Sequence, residues 1–343
     1  MVVACHVLPS LAARGGVVFT ASLAGAAGVD MFFVISGFIM VLVCQREPDA
    51  LTFLRHRLIR IAPLYWLCTL LRIGGRLTLS GLDAGPPLTI GQVATSVAFL
   101  PYWDGSGSIA PLLRQGWSLQ FEMFFYLVVA AALRCAPRRV LICASAALLG
   151  LVGVGALAGI PQDGPASVLS VYVHPMLLEF IAGLAIGRLW LAKRLPGPRQ
   201  AILLAALGFA GLAAAAAAGP QWEPLRVWVW GAPCALIVLG CVALEAAGRI
   251  PNLPRLTAIG DASYSLYLTH STVIFALASL KPALPAGSPG SLLLGGTLMG
   301  ACVVVAQLVY RRVEAPLLAA LRGRTNRPEE PSAASIGARP LQA

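Results

Sequence analysis

An all-α fold, a polytopic bundle of membrane-spanning helices, is what this sequence predicts, and three observations predict it. First, 58% of the residues are hydrophobic and only 11% charged, with a mean hydropathy of +0.81, against about 25% charged residues in soluble globular domains. Second, apolar runs recur at lengths of about 18 to 25 residues, enough helix to cross a hydrocarbon core. Third, Lys and Arg concentrate in every second connection between those runs, the bias that orients helical membrane proteins. The long unbroken runs also exclude a transmembrane β-barrel, whose strands alternate residue by residue.

The chain opens on MVVACHVL, residues 1–8. At a rise of 1.5 Å per residue it covers roughly 12 Å of the ~30 Å needed, so it reads as a partial span. About nine full spans follow, near 27–45, 60–76, 116–134, 139–159, 167–190, 200–218, 227–247, 262–280 and 288–310. The connections after the spans ending near 45, 134, 190, 247 and 310 hold 19 of the 25 Lys and Arg. The opposite side holds only Arg14, Arg72, Arg76, Arg114, Arg226 and Lys281. That asymmetry predicts the first set, and the C-terminus, to be cytoplasmic. It also accounts for the net charge of +11 without nucleic acid.

Between the spans, residues 77–115 form the longest external loop, with Tyr102 and Trp103 as expected interfacial anchors. The alanine run at 210–219 reads as a surface for close helix packing. Residues 322–343, polar and rich in Pro, Ala and Ser, are expected to be a disordered cytoplasmic tail behind one membrane domain at 1–321. The eight cysteines form no CxxC and sit mostly in apolar runs, as small buried hydrophobes do. No cleavable signal peptide is expected, and no internal repeat is visible of the kind that builds many transporters.

Ionisable residues inside spans are costly and by default mark function. Here they are His6, Asp30, Glu122, His174, Glu179, Asp261, His270 and Glu314. His6 reads equally as a general base and as a histidine bonded into helix packing. Asp30 opens the second span, either as a carboxylate favoured by the helix dipole or as an orienter of a histidine on the adjacent helix. Arg55, Arg57 and Arg60 form R-x-R-x-x-R at the entrance of the next span. Topology charge alone would accept Lys; three Arg favour bidentate phosphate recognition. Glu122 lies inside an apolar helix, as a bonded carboxyl or as an acid/base group. His270 reads equally as packing or as an acceptor contact. His174 and Glu179 are five apart and point to different faces, and the four histidines show no zinc-ligand spacing, so no metal is expected.

Several stretches taken together resemble the acyltransferase-3 family of inner-membrane O-acyltransferases. They are VVACH, GVDMFFVISGFIM, FLRHRLIRIAPLY, WSLQFEMFFYL, LLEFIAGLAIGR, ASYSLYLTHSTV and YRRVEAPL, in that order along the chain. The resemblance implies ten spans in the complete pattern, a bacterial inner-membrane location, and acyl-CoA, most simply acetyl-CoA, as co-substrate. It puts His6 at the catalytic position and Arg55, Arg57 and Arg60 at the positions that bind the coenzyme A phosphates. Asp30, Ser36 and Glu122 fall near the site. Trp117, Tyr264 and His270, with Ser36, are expected on the substrate side, and Glu314 falls at a landmark position. An arginine of the first family motif would lie about six residues before Met1; a start assigned too late accounts for this and for the half-length first span.

The function expected is transfer of an acyl group, acetyl in the simplest case, from acyl-CoA to a hydroxyl of a carbohydrate or glycolipid acceptor, with no metal. The partners expected are that acceptor and the bilayer, not nucleic acid; a homo-oligomer is compatible. Two alternatives stand beside it. A proton-coupled carrier could use the intramembrane Asp, Glu and His as a relay. A catalytically impaired homologue would follow if the first-motif arginine were truly missing.

Overall fold

The computed structural model describes residues 1–7, 24–47, 49–78, 88–103, 109, 111–160, 167–219, 225–278 and 287–322. The tail expected at 322–343 lies, beyond its first residue, outside the described residues, as do residues 8–23. Among the described residues the structure is helical, with a single isolated bridge between Trp103 and Ile109.

Among the described residues fourteen α-helices run in order: α1 Val2–Val7, α2 Gly28–Arg46, α3 Ala50–Thr78, α4 Ile90–Val97, α5 Gly116–Cys135, α6 Val140–Leu157, α7 Val168–Tyr172, α8 Leu177–Leu191, α9 Pro198–Ala218, α10 Ala232–Ala246, α11 Pro254–Asp261, α12 Ser263–Ala278, α13 Pro289–Val309 and α14 Ala315–Arg322. Among the described residues eight helical stretches are long and apolar enough to cross a membrane. They match eight of the nine spans read from hydropathy. The ninth, near 262–280, corresponds to α12, whose described helix has 16 residues. The surface is inverted relative to a water-soluble protein. Leu70, Leu71, Leu127, Leu149, Leu203, Phe209, Leu293 and Val304 are exposed, while Ser36, Thr69, Glu122, Glu179, Ser265, His270 and Glu314 are buried. Lipid solvates the first set, and the polar groups turn inward to find partners.

Three elements depart from a plain reading of the spans, each for a local reason. α3 begins ten residues before the apolar run. The Asp49 carboxylate accepts a hydrogen bond from the Thr52 N–H at 2.8 Å, which caps the first turn and brings all three arginines inside the helix. The span near 167–190 is two helices, α7 and α8, broken at His174–Pro175. Proline withdraws a donor there, and the Met176 N–H is taken by His174 Nδ1 at 3.2 Å. The loop expected at 77–115 contains α4, capped by the Thr89 hydroxyl on the Gln92 N–H.

The chain divides into two compact units, the first made of residues 1–31, 188–220 and 228–343, the second of 32–187 and 221–227. In the first unit α9 and α10 pack through small residues. Leu212, Ala215 and Ala216 meet Trp230, Cys234 and Ile237, with Ala27 in the same cluster. The expected use of the alanine run as a packing face is thus realised. The same unit holds α1 against α12 and α13, with Val3 and Val7 packed on Ile274, Leu277 and Leu298.

In the second unit α2 and α8 cross at backbone contact. A Cβ added to Gly183 would stand 2.0 Å from the Val34 carbonyl oxygen and 2.8 Å from Gly37 Cα. One added to Gly37 would stand 2.2 Å from the Phe180 carbonyl oxygen. Small residues permit such approach in a bilayer, where packing replaces the hydrophobic drive. The crossing is filled by rings: Phe33 against Phe180 at 4.7 Å and Phe125 stacked on Phe180 at 4.2 Å. Gly183→Ala is expected to separate the helices and lower the yield of monodisperse protein in detergent. Gly150→Ala, where a Cβ meets nothing within 4 Å, is expected to leave the yield unchanged.

Candidate active-site groups

Two polar clusters, one in each unit, gather most of the residues singled out by sequence. In the second unit α2, α3 and α5 supply the first. Glu122, on α5 and 2% exposed, accepts from the Ser36 hydroxyl of α2, which stands 2.9 Å from both carboxylate oxygens. The Tyr126 hydroxyl, one turn further along α5, also donates to Glu122. The charges of Arg57 and Arg60 on α3 act on the same carboxylate. Each member has a physical reason. A carboxyl in a dry interior needs donors, residues four apart on a helix share a face, and Arg57 and Arg60 are three apart on theirs. Arg57 Nε is a buried donor with no hydrogen-bond partner among the described residues. Arg55 is exposed, whereas Arg57 and Arg60 are half-buried, so the three arginines are not equivalent.

α3 is held at its start by two carboxylates. Asp49 caps it, and that bond from the Thr52 N–H keeps its carboxyl below the ordinary value. Its contribution is therefore present at neutral pH and lost as pH falls through the folded-state value. Asp49→Ala is expected to fray the first turn of α3, read as faster hydrogen exchange over residues 50–54; Asp49→Asn, which can still accept, is expected to keep it. Glu47 pairs with His56 Nδ1 at 2.8 Å.

In the first unit α1 and α12 supply the second cluster. The His6 and His270 rings stand 5.0 Å apart between centroids, tilted by 59°. His270 is fully buried, and His6 is exposed. One turn and a half before His270, the Ser265 hydroxyl donates to Glu314 at 2.6 Å. Glu314 closes a π-helical turn over Tyr310–Glu314. Two of the landmark stretches, YSLYLTH and YRRVE, are joined by that bond.

Of the other expected residues, Asp30 is fully buried in the first turn of α2, in the same unit as His6. Trp117 is half-buried and edge-on to Phe33 at 6.4 Å and Phe121 at 6.0 Å. Tyr264 is half-buried on α12. Sequence reasoning missed Tyr126 and Ser265. The signal for Tyr126 was its position four residues after a buried carboxylate; for Ser265 it was a small polar residue inside an aromatic run. Among the described residues no group of three or more His, Cys, Asp or Glu is placed to hold a metal.

Comparison with known proteins places this architecture. No solved structure matches the chain. A curated relative, the exopolysaccharide production protein ExoZ of Rhizobium meliloti (strain 1021), is 38% identical over 308 residues, which is 88% of this chain and 92% of ExoZ. The family model described as "Acyltransferase domain", acyltransferase-3, matches residues 1–311. That match runs from α1 into the π-helical turn that carries Glu314, through every residue of both clusters apart from Glu314 itself: the chain belongs to the acyltransferase-3 family.

Proposed function

We propose that the chain transfers an acyl group, acetyl in the simplest case, from acyl-CoA to a hydroxyl of an exported polysaccharide. The polysaccharide acceptor is suggested by the name of the R. meliloti relative, an exopolysaccharide production protein. The single observation that carries the donor side is Arg57, a half-buried cation whose Nε lacks a hydrogen-bond partner among the described residues, beside Arg60 on one face of α3. A guanidinium with an uncommitted edge suits a phosphate oxygen, which it can take in two parallel bonds. Glu122 is fixed by Ser36 and Tyr126 in the same unit. Arg55, exposed at the end of α3, completes the basic surface for the nucleotide. The inner membrane is the site, with the arginine end of α3 and the C-terminus on the cytoplasmic side, as the Lys and Arg distribution supports.

The chemistry falls to His6. Its Nδ1–H donates to the Val2 carbonyl at 2.9 Å, which leaves Nε2 as the lone pair. Nε2 takes the proton of the acceptor hydroxyl as its oxygen bonds to the thioester carbonyl carbon. The carbon–sulfur bond then breaks, and the proton passes to the departing coenzyme A thiolate. The Val2 carbonyl orients the base, Asp30 contributes a buried carboxyl to the same unit, and Trp117, Tyr264 and Ser36 contribute to the substrate side. Holding both substrates in register supplies much of the rate.

Arg57→Lys tests the donor side, since it keeps the charge and removes the fork. The KM for acetyl-CoA is expected to rise about tenfold, in line with the lower end, ~1.5 kcal/mol, of a charge-assisted bond, with kcat within a few-fold. An unchanged KM in Arg57→Lys and in Arg57→Ala would remove the donor site from α3.

A further inference from the structure

We infer that Glu47 recognises the sugar of the acyl donor's nucleotide: its free carboxylate oxygen accepts the ribose hydroxyl that stands next to the phosphate taken by Arg57. The inference rests on the reading of Arg57 as a phosphate ligand of acyl-CoA, and it adds the group that recognises what that phosphate is attached to.

Where α2 hands over to α3, two buried atoms lack a hydrogen-bond partner among the described residues, and they are complementary. Glu47 Oε2 is an acceptor and Arg57 Nε is a donor. A buried polar atom left unbonded costs free energy, so a pair of them calls for a partner that arrives from outside. Neither side chain is sealed in. Glu47 is 21% exposed and Arg57 is half-buried. A change of rotamer at the surface, rather than an opening of the bundle, uncovers both atoms.

The local structure explains why the two atoms do not simply meet. Glu47 continues the last turn of α2, its N–H donating to the Val43 carbonyl at 2.9 Å. Its other carboxylate oxygen, Oε1, is held by His56 Nδ1 at 2.8 Å. His56 and Arg57 are consecutive on α3 and so point about 100° apart around the helix. The bond to His56 commits the carboxylate to one side of Arg57 and leaves Nε unpaired. Both charges nevertheless act on the thiol of Cys44, three residues before Glu47, so the two uncommitted atoms share one neighbourhood. All four residues belong to the second unit. A ligand that satisfies both atoms must present an acceptor and a donor side by side.

Coenzyme A offers that combination. Its ribose carries a phosphate on one carbon and a hydroxyl on the next. The phosphate oxygens accept from the guanidinium. The hydroxyl donates, and an ionised carboxylate only accepts. The carboxylate also repels the phosphate beside it, but Arg55, Arg57 and Arg60 on α3 outweigh its single charge, and Glu47 already shares that charge with His56. A nucleotide without the hydroxyl leaves Glu47 Oε2 buried and unbonded, and a site built in this way rejects a ligand that lacks one hydroxyl. Inorganic phosphate satisfies Arg57 alone. The pair of atoms thus selects a ribonucleotide donor where the arginines alone select only an anion.

The test measures, by calorimetry on the full-length protein in detergent, the binding of adenosine 3′,5′-bisphosphate and of its 2′-deoxy form, with coenzyme A alongside. The two nucleotides differ by the one hydroxyl. Wild-type protein is expected to bind the ribose form about tenfold more tightly, the scale of a hydrogen bond to a charged group. In Glu47→Ala the preference is expected to fall to about twofold or less, through weaker binding of the ribose form. His56→Ala removes the strap and keeps the acceptor, so it keeps a preference; Arg57→Lys weakens both forms alike. Equal affinities in wild-type protein, or a preference undiminished in Glu47→Ala, would overturn the inference. So would equal loss of preference in Glu47→Ala and His56→Ala, which a strap alone predicts. Should Glu47→Ala fail to fold, the ratio in wild-type protein decides. Coenzyme A that binds while neither nucleotide does would also overturn the inference and leave the donor site standing. No binding of coenzyme A at all would instead sink the donor site assigned to Arg57, and the inference with it.

Discussion

His6→Ala is expected to lower acyl transfer by about 10²- to 10⁴-fold, the range a positioned general base contributes, with the KM for acyl-CoA nearly unchanged. The reasoning is local. Among the described histidines, His6 alone is both exposed and left with its Nε2 lone pair by the Val2 bond. His270 has the same tautomer but is fully buried. His174 gives its Nδ1 lone pair to the Met176 N–H, and His56 is held by Glu47. His6→Gln is expected to be as inactive as His6→Ala, because an amide cannot take the hydroxyl proton. Equal transfer rates in wild-type and His6→Ala protein, measured with saturating acetyl-CoA, would contradict this.

Glu122→Ala is expected to have the second-largest effect, on folding as well as on activity. It leaves the Ser36 and Tyr126 hydroxyls without their acceptor. An unsatisfied buried polar group costs about 1–3 kcal/mol, and two are created at once. The midpoint of thermal unfolding in detergent is expected to fall by several degrees. Tyr126→Phe and Ser36→Ala each remove one donor and leave the carboxylate bonded to the other, so each should lower it less. Combined with Glu122→Ala, neither should lower it much further, because the interaction is already gone. Fully additive losses would show that the three side chains do not act as one cluster.

The membrane spans were legible because hydropathy is a property of composition over about 20 residues, which no distant contact can alter. The breaks in those spans were less so. Pro175 was in view, yet the split into α7 and α8 also needs His174 to take the Met176 N–H. The early start of α3 was written in Asp49 and Thr52, three residues apart, and was overlooked because the apolar run begins later. The seven landmark stretches located the family, and they located most of the polar residues. What they could not convey is pairing across the fold. His6 and His270, or Ser265 and Glu314, are joined only by how α1, α12, α13 and the final π-helical turn pack. Tyr126 was hidden inside EMFFYL, where a tyrosine looks like one more aromatic core residue until Glu122 is seen to be buried beneath its hydroxyl.

The most direct test of the central claim is incorporation of radiolabel from acetyl-CoA into polysaccharide by membrane vesicles that carry the protein. Wild-type, His6→Ala and Arg57→Lys forms would be compared at matched membrane abundance. The account predicts label in polysaccharide with wild-type protein, loss with His6→Ala at any donor concentration, and recovery with Arg57→Lys when acetyl-CoA is raised about tenfold. No label from acetyl-CoA or from longer acyl-CoA donors with wild-type protein, or undiminished label with His6→Ala, would contradict it.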